Sequence, residues 1–279
     1  TCALPISPRA SLARGAVLIV MLFLAVALLS RLALLFQARQ DAAWDITLIG
    51  SFGLGLWYDL LAACYATVPW FLITLLLPAY LWRSGAMRWI IATLVFVYAT
   101  VFVFIGVAEW FFWDEFQVRF NFIAVDYLVY TQEVIDNIQQ SYPMPLIFAG
   151  LALAGVSITW TVWKLGAIQW VCQGDASWKH RLIPTATIAG TVVGISYMFA
   201  QSQLPLFKNE FNRELAKDGP YAFCAAFWES EIDYERFYLK QQPEAALARA
   251  KTLLTLSDTP PVTNDPTDLR RLIKHEGPE

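Results

Sequence analysis

"GAVLIVMLFLAVALLSRLALLF", residues 15–36, decides the fold of this chain. The run carries one charge, Arg31, and an apolar helix of about 20 residues crosses the hydrocarbon layer of a bilayer. An arginine at mid-membrane costs roughly 2.5 to 3.5 kcal/mol, and much less near a helix end where it reaches the headgroups. Arg31 is therefore expected near the exit of a first transmembrane span, snorkelling outward. A cleaved signal peptide is disfavoured, because the apolar run continues past Arg31 and lacks a small-residue cleavage site.

Four further apolar stretches of near-spanning length lie at 60–82, 89–108, 146–163 and 182–200. The fold class expected is an all-α membrane protein with five transmembrane helices. The fifth stretch, "LIPTATIAGTVVGISYMFA", is the least hydrophobic and is expected to pack against neighbouring helices. Composition agrees: 57% of residues are hydrophobic and 15% charged, too few and too clustered for a soluble surface. A net charge of -3 gives no pull toward nucleic acid. His180 and His275 are far apart, and Cys2, Cys64, Cys172 and Cys224 have no CxxC spacing, so neither a zinc site nor a disulfide framework is supported. Cys64 and Cys172 fall in or beside apolar runs and are expected as small buried thiols. The opening "TCALPIS", residues 1–7, looks like translated sequencing adapter and is set aside from fold reasoning.

Basic residues orient the spans. Arg9 and Arg14 precede span 1, Arg83 and Arg88 fill the second loop, and Lys164, Lys179 and Arg181 fill the fourth. The alternate segments hold Arg39 and Arg119 against Asp41, Asp45, Asp114, Glu115, Asp126, Glu133 and Asp136. The positive-inside rule then puts the N-terminus in the cytoplasm and the chain after span 5 outside.

Two segments on the outer side carry a pattern. In "FNFIAVDYLVYTQEVIDNIQQSYP", residues 120–143, Ala124, Tyr127, Leu128, Thr131, Val134, Ile135 and Ile138 form a helical stripe ended by Pro143 and Pro145. The stripe lacks the Lys and Arg of a lipid-surface helix, which favours burial against protein. After span 5, Phe207, Phe211 and Leu215 form a short helical face; "KDGP" is a stop with a new start at Pro220, and a third helix begins at Pro243. The division expected is a transmembrane domain at 8–205, juxtamembrane helices at 206–256 and a Pro-rich polar linker at 257–279.

The order of the spans, with "GLWYDLLAA", "RFNFIAVDYLVYTQEVIDNI", "NRELAKDGPYAF" and "DYERFY", resembles the N-terminal membrane region of bacterial lipoteichoic-acid-synthase-like proteins. These are phosphoglycerol transferases of sulfatase type in the alkaline phosphatase superfamily. The resemblance implies an extracytoplasmic α/β catalytic domain after the linker, with a Thr nucleophile and a divalent metal, commonly manganese. That domain's opening strand and Glu-Ser element do not occur here, so no nucleophile or metal ligand carries over to any residue of this chain. It also implies residence in the bacterial cytoplasmic (inner) membrane, phosphatidylglycerol as the lipid partner, and a role as anchor and lipid-presenting domain, inactive alone. A phosphoethanolamine transferase or sulfatase-like hydrolase with the same layout is the alternative enzyme class, and a non-catalytic scaffold or transporter the alternative outside it.

Asp59, Glu109, Arg31, Arg39 and Arg119 map to one outer level, either as ion pairs fixing the helices or as a pocket in which Arg119 and Arg39 hold a lipid phosphate. Asn121, Asp126 and Tyr127 come next in line, Asp126 equally suited to cap a helix. Tyr130 and Tyr142 read as interface anchors, and Asn212, Arg213 and Glu214 as a solvated face. No Gly-rich phosphate loop, His-centred triad, HExxH or paired-carboxylate motif stands at a convincing position. Asp59 as the proton site of a transporter would need a broken-helix repeat beside it. The orientation is open to a direct test: a reporter active only outside the cytoplasm, joined after Gln203, is expected to be active, and an inactive fusion would remove the five-span topology.

Overall fold

The computed structural model describes residues 8–82, 84–129, 142–172, 207–228, 242–254, 260–265 and 267–271, with 186, 187, 190 and 194. Two compact units divide the chain, residues 1–230 and 231–279. The first holds, in order, α1 Pro8–Gln37, α2 Ile46–Leu76, α3 Ala79–Trp82, α4 Ala86–Phe116, α5 Phe122–Val129, α6 Met144–Lys164, α7 Ala167–Cys172, α8 Glu210–Leu215 and α9 Gly219–Trp228. Of these, α1, α2, α4 and α6 are long and apolar enough to cross a membrane. Four such helices make this a multi-pass helical membrane protein. The fifth expected span, 182–200, lies almost wholly outside the described residues, and so do Tyr130 and the rest of the amphipathic stripe beyond α5.

Helix ends follow local chemistry. Asp45 caps α2, its Oδ1 accepting from the Thr47 amide at 2.8 Å, and Leu77 turns extended where Pro78 forbids another helical residue. At the start of α6, Pro145 occupies a first-turn position, where a missing N–H costs nothing. Gln117 ends α4 in the left-handed region at φ 56, its amide donating to Trp113 O, and this turns the chain back toward the bundle.

The second span begins earlier than expected: α2 starts at Ile46, not at residue 60. Ser51, Asp59, Thr67 and Thr74 are buried in it, and their polarity masked a continuous helix. Its most apolar window is also the least hydrophobic of the four, at mean hydropathy 1.6, and the most buried, at 44%. Polar residues are tolerated in α2 because protein, not lipid, surrounds them.

A main core joins α1, α2 and α4 through Leu12, Ile19, Phe23, Trp70, Phe71 and Ile91, with Ile168 and Val171 of α7 packed into it. The Trp70 indole donates to Leu12 O at 3.1 Å, which settles the register of α1 on α2. A second, smaller core lies at the other end of the bundle, where Leu34 of α1, Ala38 just after it, Trp113 of α4 and Leu215 of α8 enclose one another. Cys64 is exposed on α2, against the expectation of a buried thiol, and Cys172 is partly buried, packed at the edge of the main core.

The second unit contains α10, Pro243–Leu254, near the expected third juxtamembrane helix. Lys251 Nζ donates to Thr263 O and Asp265 O, and Arg271 donates to Leu254 O, tying the following chain back to the helix. Arg270 and the Thr263 hydroxyl hold the Asp268 carboxyl below its ordinary range. This part of the expected linker therefore has local structure of its own.

Candidate functional site

At the end where α1 stops and α2 begins, seven charged side chains share one layer. Arg31 is 1% exposed, so it does not snorkel. Its Nη1 and Nη2 donate to Asp59 Oδ2 and Oδ1 at 2.5 and 2.7 Å, a fork-on-carboxylate pair within the bundle. Its Nε donates to Leu215 O at 2.9 Å and its Nη2 also to Lys217 O at 3.1 Å. The expectation of a headgroup-seeking arginine fails because α2 supplies a carboxylate at the same depth. Gly55 makes room for the arrangement: a Cβ there would sit 2.5 Å from the guanidinium carbon of Arg31.

Next to this pair is a second. Glu109 of α4 accepts from Ser30 Oγ at 2.8 Å and from Arg119 Nη1 at 3.0 Å, and both partners of the ion pair are 2% exposed. The Nε and Nη2 of Arg119 are buried with no protein acceptor among the described residues. Arg119 also borders a cavity of about 20 Å³, lined by Phe23, Ser30, Phe102, Glu109 and Asp218 as well, with room for about one water.

Residues 209–221 close the layer. Asn212 is fully buried, and its Nδ2 donates to Ala43 O at 3.0 Å and Thr47 Oγ1 at 2.8 Å. The Thr47 hydroxyl donates onward to Asp45 Oδ1, which with the Thr47 amide holds the Asp45 carboxyl below its ordinary value. Glu214 binds Lys217 Nζ at 2.5 Å through one oxygen and accepts from the Arg119 amide at 3.2 Å through the other. Asp218 caps α9, accepting from the Tyr221 amide at 2.7 Å. Gly219 then rests against the Glu109 carboxylate, where a Cβ would collide with Oε1. The Tyr221 ring packs 5.6 Å from Tyr58 and 6.5 Å from Tyr65. Asn212 and Glu214 are thus not a solvated face; only Arg213 keeps substantial exposure, 33%. Their burial comes from docking onto α1 and α2, which spacing within the segment does not reveal.

The remaining expected residues lie at the rim or outside the layer. Arg39 is exposed, donating to Phe36 O and stacked 4.5 Å over the Phe36 ring, and takes no part in the charged layer. Asn121 caps α5, its Oδ1 accepting from the Ile123 amide at 2.9 Å. That corrects the capping role offered for Asp126, which lies inside α5 and is exposed. Tyr127 is exposed with its ring 5.9 Å from Phe116, and Tyr142 packs 4.7 Å from Phe111. Ser30, Lys217 and Asp218 were not singled out from sequence; for Asp218 the signal available was an Asp immediately before Gly-Pro at a helix start. Among the described residues, no group of three His, Cys, Asp or Glu is placed to hold a metal ion.

Comparison with known proteins finds no matching family model, no matching curated protein and no matching solved structure. The chemistry available in the layer is recognition and coupling: two buried guanidinium groups, one making four hydrogen bonds and one making a single bond, and four carboxyl groups. Removing one partner of the first pair leaves the other buried and uncompensated. Asp59→Ala is expected to destabilise the bundle by about 3 to 5 kcal/mol, whereas the double replacement Arg31→Met with Asp59→Leu is expected to be near neutral. Reversible unfolding in detergent measures both, and equal losses for the single and double variants would deny the pair its role.

Proposed function

We propose that this chain is the membrane domain of a sulfatase-type phosphoglycerol transferase in the bacterial cytoplasmic membrane. It anchors an extracytoplasmic catalytic part and presents phosphatidylglycerol to it. One observation carries this reading: three of the stretches on which the family resemblance rests meet in the charged layer. "GLWYDLLAA" brings Asp59, "RFNFIAVDYLVY" brings Arg119, and "NRELAKDGPYAF" brings Asn212, Glu214 and Asp218.

The layer suits such a task physically. Arg31 holds the main chain at residues 215 and 217 against the membrane helices, so the segment that follows them is mounted on the bundle. A catalytic part acting on a lipid phosphate has to be held at a fixed height above the headgroups, and a docked segment fixes height better than a free linker does. In this reading the layer faces the outside of the cell. Arg119 brings a guanidinium with unmatched donors to that level, the group best suited to a phosphodiester once it is uncovered. Manganese and the Thr nucleophile belong to the catalytic part, where the metal would neutralise phosphate oxygens as the threonine attacks.

The test uses the full-length protein in liposomes carrying phosphatidylglycerol or phosphatidylethanolamine. Diacylglycerol released from phosphatidylglycerol is the expected result. Release from phosphatidylethanolamine alone would replace the donor with its phosphoethanolamine counterpart, and release from neither by folded protein would overturn the phosphotransferase reading.

A further inference from the structure

In the charged layer three carboxylates each have a cation of their own: Asp59 has Arg31, Glu109 has Arg119 and Glu214 has Lys217. The fourth, Asp218, is 1% exposed and has no ion pair of its own among the described residues. Charged and titratable groups approach it from every element packed there. Asp59 comes from α2, Glu109 from α4 and Arg119 from the turn after α4, while Arg31 of α1 holds the adjoining Lys217 carbonyl. Cys224 lies on its own helix. With all seven groups ionised the layer would carry four negative charges and three positive ones in a largely dry site. One proton removes the excess, and Asp218 is where it can reside at least cost.

We propose that residues 209–221 form a proton-held latch, closed on the bundle while Asp218 is neutral and released when Asp218 loses its proton. The geometry gives the latch its moving part and its seat. Asp218 caps α9 and Gly219 begins it, pressed against Glu109, and the two carbonyls that Arg31 grips stand one and three residues before Asp218. A fourth negative charge at this point repels Glu109 and Asp59 at the place where the segment is gripped. Neutral Asp218 still accepts the Tyr221 amide through its carbonyl oxygen, so protonation keeps the cap. Release would free the Arg31 donors bound to Leu215 and Lys217 and uncover Arg119.

The titration has the matching sign. Burial, then the neighbouring Asp59 charge, pushes the Asp218 carboxyl well above its ordinary range, against the opposing effects of the Tyr221 amide and Arg119. In the open segment the carboxyl returns to an ordinary value near 3.9, so opening releases a proton. Closure is therefore most complete below that value, and it weakens as pH rises toward and through the closed-state pKa. With one proton released, opening is favoured by at most ~10-fold per pH unit. The latch works the same way whichever headgroup the protein serves.

Hydrogen exchange of the full chain in lipid nanodiscs, followed by mass spectrometry between pH 5 and 8, tests this. Once corrected for the intrinsic pH dependence of amide exchange, peptides covering 209–222 are expected to exchange faster with rising pH, by up to ~10-fold per unit. Peptides from the middle of α4 are expected to stay unchanged. Asp218→Asn, neutral at every pH, is expected to hold the segment protected throughout, which separates Asp218 from His180 and His275. Corrected exchange that is flat with pH in the unsubstituted protein would overturn the latch, and this arm does not depend on the variant folding. The same pH step in Asp218→Asn, or parallel acceleration in α4, would overturn it as well.

Discussion

A guanidinium group taken out of water has five N–H donors to satisfy, and the folded bundle is organised around how Arg31 does it. Four of the five are used: two nitrogens bind the Asp59 carboxylate, and two carbonyls beyond the last described span take one bond each. An unpaired Arg31 would cost several kcal/mol, so α1 and α2 cannot slide past one another, and when residues 215–217 leave, Arg31 keeps Asp59 but loses the two carbonyl bonds. A well-packed apolar replacement of the pair would hold the helices about as well. The pair contributes specificity: it selects one depth for α1, one register for α2 and one seat for the segment that follows.

The second pair depends on the first. Arg31 fixes the carbonyls of Leu215 and Lys217, which places Asp218 and Gly219 on Glu109 and leaves Glu214 in reach of the Arg119 amide. Glu109 then takes Arg119, whose turn is set by the left-handed Gln117. Leu215, drawn inward by the same grip, completes the small apolar core with Leu34, Ala38 and Trp113. Polar bonding sets the position of this end of the molecule, and apolar packing fills in beneath it.

The long helices were legible because lipid-length apolar runs leave few alternatives, and α1, α4 and α6 fall close to the runs that announced them. The first turns of α2 were not, because hydropathy treats Ser51 and Asp59 as interruptions when they are buried against protein. The cap at Asp45 followed by Ile46, Thr47 and Leu48 was the signal that could have extended it. Arg31 considered on α1 alone points to the headgroups, whereas its contacts are those of the other expectation, an ion pair that fixes the helices. Topology puts Asp59, Glu109, Arg31, Arg39 and Arg119 at one level; all but Arg39 meet in the layer, and who pairs with whom is a three-dimensional fact. Asn212 and Glu214 look solvated in sequence and are buried, since nothing in "NEFNREL" records the Ala43 carbonyl that Asn212 binds or the Arg119 amide that Glu214 binds.

What the bundle does for the rest of the protein turns on whether Arg31 grips the segment after the spans. An experimental structure of the full-length protein in a lipid nanodisc at pH 5, where the segment is expected closed, refined well enough to place side chains, measures this directly. Arg31 is expected between Asp59 and the carbonyls of Leu215 and Lys217, each at hydrogen-bond distance, with Gly219 seated on Glu109. Arg31 turned out toward the headgroups, with residues 209–221 away from the bundle, would contradict the whole arrangement.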